Sequence, residues 1–299
     1  MVLLMYLAFF ACSVFETALA KLISRSVTAV GNAARPLYLL INGVTACAAF
    51  YILGGFRLEV NPRTLVYSAV FSAVCIASLL TSVAVYRYAS VSLVGVARNS
   101  ASVIFNTFLG VLLFREVLAL RSIFRIALLL LAIFILFFGA KKGEKRIDGG
   151  HSGHGVTAVS LIAFSVLLSG AVSVISKLYA GDPGVCDSNS FFFFTNVVMI
   201  VFSAGWLFLS CRKDREAVRA AAKALRAEDL VFFAGSTVMS NLVSLLTVAI
   251  LARQDVSMFT AVISAMAILG AVLVSLFFRE KLSFYSVLAA VFAGAAMFI

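Results

Sequence analysis

Charged side chains are scarce in this sequence. Asp, Glu, Lys and Arg make up 12% of its 299 residues, where a soluble domain carries roughly 25%, and 63% of the residues are hydrophobic. A water-soluble fold of this length cannot bury so much apolar surface. Apolar runs of about 20 residues, long enough to cross a bilayer as helices, recur along the whole chain. The composition therefore excludes a soluble globular domain and predicts an all-α polytopic membrane protein.

Catalytic and metal-binding signatures are also missing. Both histidines, His151 and His154, lie in the stretch HSGHG, which leaves no Ser/His/Asp set and no H-E-x-x-H helix. A metal bound by this pair is the minor alternative to a flexible tether. The five cysteines show no paired spacing, and no glycine-rich phosphate loop occurs. We expect neither enzyme activity nor a cofactor or metal.

The net charge of +11 has a topological explanation. In a soluble protein it would suggest nucleic acid, but here Lys and Arg cluster between apolar runs, as positive-inside signals do. The stretch 212–229 predicts a helix whose basic residues recur at three- and four-residue steps: Arg212, Arg215, Arg219, Lys223 and Arg226. We expect the 212–226 face to lie on anionic lipid headgroups, with recruitment of a protein partner as the alternative.

Ten apolar runs predict ten transmembrane helices in two sets of five. They span residues 2–22, 36–55, 64–86, 91–114, 121–139, 156–178, 189–210, 229–251, 256–278 and 283–299. The polar linker 141–155 separates a first repeat (1–140) from a second (156–299). The first run holds Glu16 and lacks a basic leading region, so we interpret it as a span and not as a signal peptide.

The two halves repeat one another. Phe114-Arg115-Glu116 recurs 164 residues later as Phe278-Arg279-Glu280, and Asn42 in LINGV parallels Asn196 in FTNVV. Because five spans is an odd number, the second copy must enter the membrane with the opposite orientation. Inverted repeats of this kind are typical of secondary transporters, with the substrate site near the bilayer midplane. We interpret the Arg-Glu pairs as fold-holding residues at membrane exits that pair or cap the next helix.

These motifs resemble the drug/metabolite transporter superfamily, in particular its EamA-type ten-helix members. The likeness rests on the five-helix unit, on Arg115-Glu116-Val117-Leu118, on Arg279-Glu280-Lys281-Leu282-Ser283, and on GAAMF (294–298) in the last span. It implies alternating-access export of small metabolites, amino acids or drugs without nucleotide hydrolysis. The small multidrug branch of this superfamily has a glutamate eight residues before a lysine in its first helix. Here Ser13 holds that position before Lys21, and Glu16 lies one turn later.

Polar residues inside apolar spans are the candidate substrate contacts, because burying them in hydrocarbon is costly. Arg98, Ser102 and Asn106 recur on one face of the fourth span, and Ser264 lies on the matching helix of the second half. Glu16, Asn42, Asn196 and Asn241 complete the predicted set; the alternatives are an Arg98–Glu16 structural pair and ordinary interhelical hydrogen bonds. We expect Lys21 and Lys177 to snorkel to headgroups, and FFFF (191–194) to face lipid or the membrane interface.

The function predicted from these features is secondary transport, most simply export, in a bacterial-type inner membrane. Arg98 favours a solute that carries a carboxylate or phosphate, such as an amino acid or small organic anion, with proton coupling or exchange. The alternatives are a multidrug or quaternary-cation exporter that uses Glu16, and a lipid-handling or scaffolding membrane protein. The sequence leaves the solute, the coupling ion and the oligomeric state open.

The positive-inside rule gives the first testable prediction. The loops from odd to even spans hold most of the Lys and Arg residues, so we expect these loops in the cytoplasm and both termini outside. A reporter fused after residue 299 should be extracytoplasmic, and one inserted in 212–228 should be cytoplasmic. Cytoplasmic activity of the C-terminal fusion would contradict this orientation and support the reverse, which is common in the family that the chain resembles.

Overall fold

The computed structural model describes residues 2–30, 35–85, 91–117, 120–144, 155–224, 227–277 and 284–298. Within these ranges the chain is all-α and contains no strand. The helices are α1 (Val2–Val30), α2 (Arg35–Leu53), α3 (Pro62–Val85), α4 (Val91–Phe114), α5 (Leu120–Glu144), α6 (Gly155–Gly181), α7 (Ser188–Lys213), α8 (Arg215–Ala224), α9 (Ala227–Leu251), α10 (Val256–Phe277) and α11 (Phe284–Phe298).

Five segments of the described chain are long and apolar enough to cross a membrane, judged by length and composition. They are Val2–Leu19, Ala163–Gly181, Ser188–Lys213, Glu228–Leu251 and Val256–Val274. The helices other than α8 coincide closely with the apolar runs found in the sequence. The largest difference is α1, which continues to Val30 because no glycine or proline follows Lys21 until Gly31.

The basic stretch after α7 is helical, but the single helix predicted over 212–229 is wrong. Asp214 interrupts it: its N–H donates to the Ser210 carbonyl at 2.9 Å, which ends α7, and α8 begins at Arg215. Val218 is buried, whereas the basic side chains of α8 are exposed. Arg226 and the segment 145–154, with His151 and His154, lie outside the described residues.

The chain forms two compact units that do not follow the two sequence repeats. The first unit comprises Met1–Ala73 and Gly181–Ala249, and the second comprises Val74–Ala180 and Ile250–Ile299. Each unit therefore takes helices from both halves of the sequence, and α3 and α9 contribute residues to both units. The boundary at 141–155 remains a prediction about the sequence repeat.

In the first unit α2 packs against α7 at a glycine. A Cβ atom on Gly43 would lie 2.7 Å from Ile200 Cγ1, so the two helices can approach this closely only because glycine has no side chain. On the other side of α7, Ser68 and Ser72 of α3 donate to the carbonyls of Phe191 and Thr195 at 2.9 and 2.8 Å. These two hydroxyls are one helical turn apart and attach α3 to successive turns of α7.

The phenylalanine run of α7 is a core element, so its assignment to lipid was wrong for half of its members. Phe191 and Phe192 are 0% and 4% exposed, whereas Phe193 and Phe194 are half-buried. The Phe192 ring stacks on Phe50 with centroids 5.2 Å apart. Because adjacent helix positions point about 100° apart, a run of four phenylalanines covers both faces of a helix.

The second unit has a core of small residues contributed by α5, α10 and α11. Its buried members are Leu129, Ala132, Ile133, Ala261, Ala265, Ile268, Ala289, Ala293 and Ala296. The alanines bring the helix backbones together, which is the usual packing inside membranes. Arg125 of α5 is also buried here, and its Nε donates to the Ala296 carbonyl at 3.0 Å in the last turn of α11.

Glu116 agrees with the fold-holding interpretation of the first Arg-Glu pair because it caps a helix, but that helix is not the next one along the chain, as the sequence predicted. Its carboxylate accepts hydrogen bonds from the Val256 and Ser257 amides at 2.6 and 3.1 Å and from the Ser257 hydroxyl at 2.6 Å. These are the first residues of α10, whose unpaired amides and positive dipole end favour an anion. Arg279 and Glu280 lie outside the described residues.

Candidate substrate-binding clusters

The first candidate site is the Asn106 cluster, formed in the second unit by Asn106 of α4, Ser173 of α6 and Thr260 of α10. Asn106 is 3% exposed, and its Nδ2 donates to Ser173 Oγ at 3.3 Å and to Thr260 Oγ1 at 3.2 Å. Each hydroxyl passes its own hydrogen to a carbonyl of its own helix, Ser169 at 3.3 Å and Val256 at 2.8 Å. One amide thus joins three helices.

The acceptor side of this amide is unsatisfied. Asn106 Oδ1 is buried and has no hydrogen-bond partner among the described residues. A buried acceptor without a partner costs about 1–3 kcal/mol in soluble proteins. A solute that brings an N–H or O–H group to Oδ1 would recover this free energy, so the cluster suits a polar solute.

A glycine of α6 makes room for the Asn106 cluster. A Cβ atom on Gly170 would lie 2.6 Å from Phe105 Cδ1 and 3.0 Å from Asn106 Oδ1. Only a hydrogen atom fits at this position. Because Gly170 has no side chain, α6 can approach α4 closely enough for Ser173 to reach Asn106.

The second candidate site is the Glu16 cluster of the first unit, formed by α1, α2 and α9. The half-buried Glu16 carboxylate accepts a hydrogen bond from the Ser240 side chain, and Asn42 Oδ1 accepts one from Thr237 at 2.5 Å. Asn241 is 7% exposed, and its Nδ2 has no hydrogen-bond partner among the described residues. Thr237, Ser240 and Asn241 are spaced to share one face of α9.

The residues predicted from sequence divide between the two units. Glu16, Asn42, Asn196 and Asn241 lie in the first unit; Arg98, Ser102, Asn106 and Ser264 lie in the second. The structure brings Glu16, Asn42 and Asn241 together at one face of α9. Asn241 lies on this helix, and Glu16 and Asn42 bond to its hydroxyl residues. Asn196 instead donates to the Phe192 carbonyl of its own helix at 2.8 Å.

Five other predicted positions have different outcomes. Arg98 and Ser102 lie in α4, but their side chains are outside the described residues, as is that of Lys21. Lys177 does not snorkel, because its Nζ donates to the carbonyls of Leu251 and Gln254 at 2.7 and 2.5 Å. Ser264 is buried in α10, one turn beyond Thr260.

Sequence reasoning missed several residues that the tertiary structure brings to these sites. Ser173, Thr237 and Ser240 are hydroxyl residues of ordinary appearance in apolar helices, and only their partners distinguish them. Arg125 had a visible signal, a cation four residues inside a predicted span, but it is not among the residues predicted from sequence.

No resident metal site is seen in the described part of the chain. It contains no group of three or more His, Cys, Asp or Glu side chains that could hold a metal ion, and its five cysteines are free thiols. The functional groups available in the clusters are amides, hydroxyls and one carboxylate. These groups bind polar solutes and protons.

Comparisons with known proteins support the fold and no more. The chain matches no family model and no curated protein. One solved structure, described as "Crystal structure of protein", is similar with a TM-score of 0.69 over 97% of this chain and 93% of its own. The sequence identity is 15%, a level at which the likeness shows a shared fold alone.

The space at Gly170 yields a prediction about stability. Gly170→Ala should destabilise the second unit by about 1–3 kcal/mol, because the new methyl group overlaps Phe105 and crowds Asn106. Gly294→Ala is the matched control, since a Cβ atom there meets nothing within 4 Å in the described structure. Thermal unfolding of the purified proteins in one detergent compares the two. Equal melting temperatures for both variants would contradict the close approach of α6 to α4.

Proposed function

We propose that the protein is a secondary transporter, most simply an exporter, of a small polar metabolite such as an amino acid or organic anion. The observation that carries the proposal is the Asn106 cluster: a buried amide that joins three apolar helices and keeps a free acceptor. A purely structural hydrogen-bond network satisfies its members, whereas a binding site leaves a group for its ligand.

The transport architecture belongs to the same proposal. Ten helices cross the membrane as two inverted five-helix repeats, which fits an EamA-type transporter of the drug/metabolite superfamily. The sequence and the helix bounds support it, because the Phe-Arg-Glu motif recurs 164 residues on and each half of the chain holds five apolar helices. Inverted repeats give two states of equal architecture that open to opposite sides, which is what alternating access requires.

The two clusters have different proposed roles. Arg98 lies on α4 two turns before Asn106, so its guanidinium would bind the carboxylate of the solute while Asn106 accepts from an N–H or O–H group. Glu16, half-buried and bonded to Ser240, would carry the coupling proton. The runner-up function uses Glu16 differently, as the counter-charge of a quaternary or lipophilic cation.

The membrane surface is the proposed macromolecular partner. Arg215, Arg219 and Lys223 of α8 are exposed while Val218 is buried, so the helix presents a basic face. Anionic headgroups attract such a face at about 1 kcal/mol for each basic residue. A scaffolding function would use the same surface. We place the protein in a bacterial-type inner membrane.

Flux into proteoliposomes tests the proposed substrate site with a matched pair of threonines. Thr260→Val removes the hydroxyl that accepts from Asn106, and Thr107→Val removes one that bonds only the Val103 carbonyl of its own helix at 2.8 Å. Using labelled amino acids and organic acids, we expect Thr260→Val to lower flux about tenfold, the value of one buried hydrogen bond. Thr107→Val should leave flux unchanged. Arg98→Lys should retain part of the flux that Arg98→Ala abolishes.

No saturable flux of any of these solutes with the unmodified protein would reject the metabolite proposal. Flux of quaternary cations in the same vesicles would support the runner-up instead.

The proposed role of Glu16 gives a prediction about pH. If Glu16 carries the coupling proton, Glu16→Gln should still bind the solute, since glutamine keeps the acceptor that Ser240 uses. Its flux should no longer respond to a pH gradient across the vesicle. Glu59, an exposed glutamate outside the clusters, provides the control, and Glu59→Gln should keep the response. A preserved pH dependence in Glu16→Gln would exclude Glu16 as the proton carrier.

A further inference from the structure

The turn between α9 and α10, residues 252–255, is held by two opposite charges. Lys177 of α6 donates to the carbonyls of Leu251 and Gln254, at the end of α9 and within the turn. Glu116 accepts from the first two amides of α10. The cation thus binds the negative dipole end of one helix, and the anion binds the positive end of the next.

The backbone around Glu116 is shaped for this contact. Arg115 has φ of 53°, a left-handed conformation that is unusual for arginine, and the Glu116 amide then donates back to the Gly110 carbonyl at 3.2 Å. A Cβ atom on Gly110 would collide with the Glu116 carboxylate. The strained backbone of Arg115 and the absence of a side chain at Gly110 together allow the Glu116 carboxylate to reach α10.

The clamp, defined as Lys177, Glu116 and the turn 252–255, lies next to the Asn106 cluster. Lys177 follows Ser173 by four residues on α6, Gly110 follows Asn106 by four on α4, and Val256 precedes Thr260 by four on α10. Residues four apart lie on one helix face, and a helical turn rises 5.4 Å. On each of the three helices, a clamp residue or a residue that touches Glu116 is therefore one turn from the cluster: Lys177 on α6, Gly110 on α4 and Val256 on α10.

We propose that the clamp is a gate: Lys177 and Glu116 hold the turn 252–255 over the Asn106 cluster and release it when solute passes this end of the second unit. The proposal rests on the proposed transport function. Lys177 binds carbonyls at the start of the turn and within it, and Glu116 binds the amides that directly follow the turn in α10. Moving the turn therefore breaks every contact together and gives two discrete states, as gating elements have.

Thiol labelling tests the gate without any knowledge of the solute. In a background without the native cysteines, Ala252→Cys, exposed in the turn, identifies the side on which the clamp lies. Ser264→Cys, buried two turns into α10, reports access beyond the clamp. A membrane-impermeant maleimide added from the clamp side should react with the first and spare the second while the clamp is intact.

Lys177→Met and Glu116→Gln should each raise labelling of Ser264→Cys from the clamp side about tenfold, because each removes charged hydrogen bonds to a helix end. Lys213→Met and Glu59→Gln make the same chemical changes at exposed positions and should have no effect. If Lys177 and Glu116 were merely structural, melting temperature would fall while labelling of the folded fraction stayed at its original rate. That result would overturn the gate.

A cross-link tests the same gate by the opposite change, because a covalent bond replaces the Lys177 contact and holds the turn in place. Lys177→Cys and Gln254→Cys, joined by a cleavable bifunctional thiol reagent, fasten α6 to the turn. We expect the cross-linked protein to lose flux in proteoliposomes and to recover it when the reagent is cleaved. Undiminished flux through the cross-linked protein would refute the gate and leave the transport proposal standing. Absence of flux in the unmodified protein would refute transport, and the labelling rates would still decide whether the turn opens.

Discussion

Hydrocarbon offers no hydrogen-bond partner, so each polar group in an apolar helix bundle must find one within the protein. Several hydroxyls of the described helices do so at the shortest range: Thr81, Thr107, Ser203, Ser244 and Thr247 donate to the carbonyl four residues earlier in their own helix. These hydroxyls need no partner from another helix, so they do not determine which helices pack together. The informative groups are those that cross to another helix, because they determine which helices meet and where polarity is concentrated.

Small residues decide how closely the helices approach. In the first unit Gly43 lies against Ile200, and in the second unit alanines of α5, α10 and α11 form the core. Gly170 and Gly110 have a second effect, because each leaves space that a polar side chain fills: Asn106 at one and Glu116 at the other. In the second unit, the same two glycines therefore allow close helix packing and determine where these polar side chains lie. A methyl group at either glycine would alter both.

Opposite charges serve as helix caps in the second unit and do not pair with each other. Lys177 binds backbone carbonyls at the end of α9, and Glu116 binds backbone amides at the start of α10. Backbone partners suit a moving element, since a helix end presents several equivalent groups and its dipole favours the charge. The Arg63–Asp182 ion pair of the first unit, with N and O atoms 3.5 Å apart, joins the first turn of α3 to the loop after α6, and solvent around the exposed Arg63 side chain weakens it. The charges of the clamp, by contrast, lie within one turn of the buried Asn106 cluster.

The sequence by itself determined the all-α class, the positions of the helices and a capping role for the first Arg-Glu pair. These depend on apolar run length, on the small penalty for charges at membrane exits, and on the cost of ending a helix, all of which act locally. Asn106 and Glu16 also stood out, because a polar residue inside an apolar run is visible at once. Their partners were mostly not visible: Ser173 and Ser240 look like hydroxyls that bond their own helices. Thr260 shares a polar helix face with Ser264, but nothing in the sequence shows that it meets Asn106. Only the tertiary structure decided that Phe191 and Phe192 are buried, that Lys177 caps α9, and that each compact unit takes helices from both halves. These features depend on which helix faces meet, and the periodicity of a single helix does not specify which helix packs against it.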